Sequence, residues 1–175
     1  MSIRPQTLQD VAAAGVDSLA DFGRTFRDWL HSLARFTSRA QVAAAIQAGP
    51  EPLAERFTDG AVADAWLAAY AELLAAKTHQ RAPEWAFDSR RVAPEPWFAE
   101  DAPALRALAL ARSPLPFKRR NLFTPAVELP LRLRAGRPAV SEEQKRRANA
   151  ERQRRFRERR QQELAHLREL ARAAP

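Results

Sequence analysis

The sequence predicts an all-α protein: a body of about four helices with aromatic, proline-rich loops, then one long basic C-terminal helix. Three observations carry this reading. Large apolar residues recur three or four positions apart over several stretches, the spacing of one helix face. Few stretches alternate with the period of two that a half-buried strand requires. Capping residues and prolines fall where the periodic stretches begin and end.

The first helix is expected within "VDSLADFGRTFRDWLHSLARF", where Leu19, Phe22, Phe26, Leu30 and Leu33 share a stripe flanked by Trp29 and Phe36. The second lies in "TSRAQVAAAIQAGP". Ser38 is its N-cap with Gln41 three residues on, and Gly49 and Pro50 form the stop. A third follows Asp59 in "GAVADAWLAAYAELLAAKTHQ". Its alanines allow close packing, and Val62, Trp66, Tyr70 and Leu73 make its heavier face. A short fourth, "PALRALALARS", begins with Pro103 at its first position. The segments between, "APEWAF", "APEPWF" and "SPLPFKRRNLFTP", are stiffened by proline. Trp85, Trp97, Phe98, Phe117 and Phe123 are too many large aromatics for free loops, and they are expected to fold back onto the helical body. Residues 1–131 are read as this body, 132–140 as a linker, and 141–175 as the basic helix, opened by Ser141 and Gln144 in a capping box.

Charge separates the two parts. The chain carries +8 overall. Residues 132–175 hold 14 of the 29 Lys and Arg residues but only 6 of the 21 acids, so the rest of the chain is neutral. Such asymmetry points to nucleic acid or another polyanion. With no cysteine there is neither a disulfide framework nor a thiolate metal site. The N-terminal stretch does not read as a secretory signal, and no apolar run approaches the roughly 18 to 20 residues of a membrane span. A cytoplasmic protein that avoids membranes is expected. His31, His79 and His166 lie in unrelated contexts, and no HExxH, Gly-rich phosphate loop or Gly-x-Ser-x-Gly elbow occurs. The chain is therefore expected to be no enzyme, with no catalytic, cofactor or metal site.

In "SPLPFKRRNLF", three consecutive bases, Lys118, Arg119 and Arg120, stand between Phe117 and Phe123. Two readings stay open. The loop contacts phosphates or an acidic partner, or the two phenylalanines anchor it and the bases face water. The order "PEW…EPWF…LRALALARSP…FKRRNLF" resembles a helical family of bacterial regulators and antitoxins whose genes often sit beside a nucleotidyltransferase-like toxin gene. The matching positions are Pro83 to Trp85, Pro96 to Phe98, Leu105 to Pro114 and Phe117 to Phe123. They span roughly a quarter of the 175 residues, and none is a catalytic signature. The resemblance implies a toxin as partner of the body. Many relatives also carry an N-terminal helix-turn-helix, but the first helices here lack its Gly-containing turn and polar recognition helix.

In the tail, the bases Lys145, Arg146, Arg147, Arg152, Arg154, Arg155, Arg157, Arg159 and Arg160 fall on every side of a helix at about 100° per residue. Glu142–Arg146, Glu143–Arg147 and Glu151–Arg155 are spaced for i,i+4 pairs, each worth about 0.2–0.5 kcal/mol. Arginine outnumbers lysine there, which suits forked contacts to phosphate or guanine. Gly136-Arg137-Pro138 resembles the centre of an AT-hook, a minor-groove arm, although Ala135 replaces the usual base. Asn149, Arg157 and Arg159 echo basic leucine zippers. Arg152 and Gln153 replace that family's alanine pair, and Leu167 and Leu170 give barely one heptad, so the echo assigns nothing. Phe156, Leu164, Leu167 and Leu170 form a stripe roughly 120° wide that calls for a partner: the body, a second copy or another protein. The combined expectation is a non-enzymatic antitoxin that neutralises a nucleotidyltransferase-like toxin and binds DNA through its tail. The alternative is a stand-alone DNA- or RNA-binding accessory protein of a phage or plasmid. A solvated, solubilising tail is the remaining reading.

Overall fold

The computed structural model describes residues 4–133 and 142–173; at 142, 144, 145, 148 and 163–173 it describes the backbone alone. Arg137 and the side chains of Lys145, Leu164, Leu167 and Leu170 therefore lie outside the described residues. The chain divides into two units, one within 1–134 and one within 135–175.

A reciprocal cap starts the body. Thr7 Oγ1 accepts the Asp10 N–H at 3.0 Å, and the Asp10 carboxylate accepts the Thr7 N–H at 2.9 Å. This opens α1 (Leu8–Ala13), whose Leu8 and Val11 are buried. Ser18 caps α2 (Leu19–Leu33) by accepting from Asp21 N–H. Ser38 and Gln41 form the expected capping box of α3 (Arg39–Gln47). Gly49 beyond α3 is not in the left-handed cap conformation; Trp85 lies against it, 3.2 Å from where a Cβ would stand. Close packing rather than turn geometry explains that glycine.

The central element is α4 (Gly60–Lys77). Thirteen of its eighteen residues are buried, Leu67, Leu74 and Ala63 among them, so it has no solvent face of any width. The expected heavy face is only one side of a helix wrapped all round, which its alanines permit. At its start Asp59 is left-handed (φ 67°), and a Cβ on Gly60 would lie 2.0 Å from the Leu53 carbonyl oxygen. Around α4 pack α2, α3, a 3₁₀ turn (Glu84–Phe87) and α6 (Leu115–Lys118), preceded by α5 (Pro103–Arg112) with Pro103 in its first turn as expected. Two two-residue strands, β1 (Trp97–Phe98) and β2 (Leu122–Phe123), pair in parallel with Phe98 opposite Phe123.

The aromatic loops close onto the body. Trp66 of α4 meets Trp97 at 5.7 Å and Phe117 at 5.1 Å, both edge-on; Tyr70 meets Phe26 at 4.7 Å. Phe98 stacks on Phe123 at 5.0 Å. Such pairs each add about 0.5–1.5 kcal/mol beyond area burial. Leu129, Leu131 and Leu133 also pack on the core, so the body continues past residue 131 into the stretch expected to be linker. In the second unit one helix, α7 (Glu142–Ala173), runs 32 residues.

Candidate partner and nucleic-acid surfaces

The basic loop resolves into structural and exposed residues. Phe117 is fully buried against Trp66 and Tyr70. Arg120 is buried too. Its Nη1 donates to Glu72 Oε2 at 2.8 Å and to the Pro116 carbonyl at 2.6 Å, and its Nη2 donates to the Ala86 carbonyl at 2.5 Å. The bonds to Glu72 and Ala86 tie the end of α6 to α4 and to the 3₁₀ turn. Phe117 and Arg120, expected at a partner surface, are thus core residues and unavailable for contact. Arg119 is half exposed and reaches the other Glu72 oxygen at 2.9 Å; Lys118 Nζ donates to the Ala111 carbonyl at 3.1 Å. Phe123 is half-buried under Phe98. Phe117 anchors the loop, as one of the two readings has it, but the bases divide: Arg120 turns inward, and Lys118 and Arg119 stay at the surface.

Two residues that sequence reading missed are exposed beside it. Phe87 is 57% exposed and Leu115 is 60% exposed. Phe87, Val92 and Arg119 line one shallow cleft with Asp88. Leu115 stands one turn before Arg119, whose N–H donates to the Leu115 carbonyl. The Asp88 carboxylate is held by Arg90, whose hydrogen bonds bring its pKa down to about 2. In the 3₁₀ turn Trp85 donates its Nε1–H to the Ile46 carbonyl at 3.0 Å and Phe87, two places on, is left exposed, a division set by tertiary packing rather than by any local signal in "PEWAF".

A second buried charge pair holds the loop after the 3₁₀ turn. Asp64 Oδ2 accepts the N–H groups of Leu53 (2.8 Å) and Ala54 (3.0 Å), and Oδ1 accepts Arg91 Nη1 at 3.0 Å. Arg91 also bonds the Pro50 carbonyl and lies over the Trp85 ring at 4.9 Å. Burial pushes the Asp64 carboxyl up and the Arg91 guanidinium down from their ordinary values, while each opposes the other's shift. Both polar groups are fully engaged, and the pair clamps the chain segments at Leu53 and Pro50 to α4.

On α7, the described side chains are all exposed, including Arg146, Arg147, Arg152, Arg154, Arg155, Arg157, Arg159 and Arg160. Arg147 pairs with Glu143 at 2.7 Å and Arg155 with Glu151 at 2.6 Å, as their spacing requires. Arg154–Glu158 at 2.9 Å is a further pair. Arg152 Nη2 donates to Asn149 Oδ1 at 2.8 Å. Phe156 is 62% exposed. The arrangement offers a dense array of forked donors on a helix about 48 Å long.

Among the described residues no three His, Asp or Glu side chains converge as metal ligands, and no helix is long and apolar enough to cross a membrane. No family model, curated protein or solved structure matches the chain.

Proposed function

We propose that this chain is a cytoplasmic antitoxin that acts by binding rather than catalysis: its body captures a nucleotidyltransferase-like toxin and its arginine-rich helix binds DNA to control its own operon. The observation that carries the nucleic-acid half is the placement of charge. The chain's whole excess of +8 lies in residues 132–175, and every described arginine of α7 is exposed. Exposed arginines on one rod neutralise phosphates and release counterions, which supplies affinity for any nucleic acid. The toxin half rests on the resemblance of "PEW…EPWF…LARSP…FKRRNLF". On the body, Phe87 and the half-exposed Arg119 are of the aromatic and arginine types enriched at interfaces, and Leu115 adds exposed apolar surface beside them. The reading of a stand-alone nucleic-acid accessory protein draws on the same charge placement and needs no toxin.

Co-expression with the neighbouring gene separates the two. Capture of the full chain should bring down the neighbouring nucleotidyltransferase-like protein in stoichiometric amount, and co-expression should rescue growth. Recovery of nucleic acid alone would reject the toxin half. For the loop, Lys118→Glu with Arg119→Glu is the informative variant. Reversing Arg120 as well would break the core and mimic a lost interface.

A further inference from the structure

The bases of α7 surround the helix, but from Glu143 to Arg160 its acids do not. At about 100° per residue, Glu143, Glu151 and Glu158 lie within about 80° of one another. Glu143, Glu151 and Glu158 pair with Arg147, Arg155 and Arg154 on that side, so its charge is largely neutralised. Asn149, Gln153, Phe156, Arg157 and Arg160 fall within about 100° of one another, on a face centred about 130° from the acids. Between Glu143 and Arg160 no acid falls on that face, Glu142 and Glu163 beyond this stretch falling at or near its direction, and all five residues are exposed. Arg152 and Arg159 stand beyond one edge of it.

Building on the proposed nucleic-acid role of α7, the geometry points to duplex DNA read in the major groove through Asn149, Gln153, Phe156, Arg157 and Arg160. The groove is wide enough for one α-helix, and its base edges present donors, acceptors and the thymine methyl. The amides of Asn149 and Gln153 each offer one acceptor and one donor, the pair that matches adenine N6 and N7. The forks of Arg157 and Arg160 match guanine O6 and N7. Phe156, apolar at the centre of the face, suits a thymine methyl. The Asn149 oxygen accepts from Arg152 in the free chain, and that exposed bond exchanges for the adenine amino group on binding. Arg152 and Arg159 then meet phosphates along one wall. Other classes fit less well. The A-form major groove of RNA is too deep and narrow for side chains to read. Single strands are gripped by several stacking aromatics, whereas this face has one aromatic and four hydrogen-bonding side chains. From Asn149 to Arg160 the face extends about 16 Å, which corresponds to roughly five base pairs.

The test uses the full chain and a pool of DNA duplexes with a randomised central segment. Selection should enrich a motif of about five base pairs, bound at least roughly ten-fold tighter than its scrambled duplex. Asn149→Ala and Gln153→Ala should each lower binding to the selected duplex about ten-fold and leave the scrambled duplex unchanged. Alanine favours helix, so circular dichroism should show helix content retained in both. Duplex binding without enrichment, preference left intact in both variants, or tighter binding to a single strand or an RNA hairpin of the same sequence would overturn base reading while leaving α7 a polyanion-binding helix. Absence of binding to every nucleic acid would instead reject the nucleic-acid role itself.

Discussion

Arg120 and its neighbour Arg119 share the carboxylate of Glu72, yet they do different work. Arg120 is buried, with two carbonyls and one carboxylate as partners, so its removal leaves two acceptors unmet and Glu72 with the half-exposed Arg119 alone. Arg120→Ala should destabilise the chain by about 3–5 kcal/mol in urea denaturation. Lys118→Glu with Arg119→Glu should cost little beyond about 1 kcal/mol, because exposed pairs contribute weakly. Equal losses for both variants would remove the distinction. Asp64→Asn poses a second contrast. It keeps the shape but puts an NH₂ or a weaker acceptor against Arg91, and the cost should be about 3–5 kcal/mol. Adding Arg91→Met should recover part of it, since the two sites share one network; strict additivity would show they act independently. In the run Lys118-Arg119-Arg120 nothing local distinguishes the inward base. Its counter-charge comes from Glu72, 48 residues earlier, and the chain reverses at Asn121, which is left-handed with φ 57°. Phe117 was legible as an anchor because a large aromatic beside prolines has few other uses.

The elements legible in the sequence are those longer than two turns. α2, α3, α4 and α5 follow from apolar spacing with Ser38, Asp59 and Pro103 near their starts. α1 and α6, at six and four residues, are too short for a period to show, and the strands β1 and β2 hold two residues each. Those strands are fixed by tertiary bonds, Trp97 N–H to the Asn121 carbonyl and Ala99 N–H to the Phe123 carbonyl, which no local signal encodes. In α7 the pairs Glu143–Arg147 and Glu151–Arg155 were legible from their spacing, the Glu142 side chain lies outside the described residues, and Arg154–Glu158 pairs in the reverse order, base before acid. At the start of α4, backbone approach is so close that Gly60→Ala forces the Leu53 segment to shift. A loss of about 1–3 kcal/mol or more is expected by thermal melting. A neutral outcome would mean that segment moves freely.

The core of the body draws only on residues 8–133. Deleting residues 136–175 should therefore leave a cooperative melt close to that of the full chain, read by circular dichroism. Loss of the transition would make the tail part of the core. The proposed function divides two tasks between the neutral body and the basic helix, capture of a partner and attachment to nucleic acid. The most direct test of that division is fluorescence anisotropy of the full chain on a random-sequence DNA duplex across a salt series. With about six phosphates engaged, the logarithm of affinity should fall against the logarithm of salt with a slope near −5. Arg154→Ala, Arg155→Ala and Arg159→Ala combined should flatten it by about two to three units. No binding at low salt, or a slope near zero, would contradict the assignment of α7 to nucleic acid.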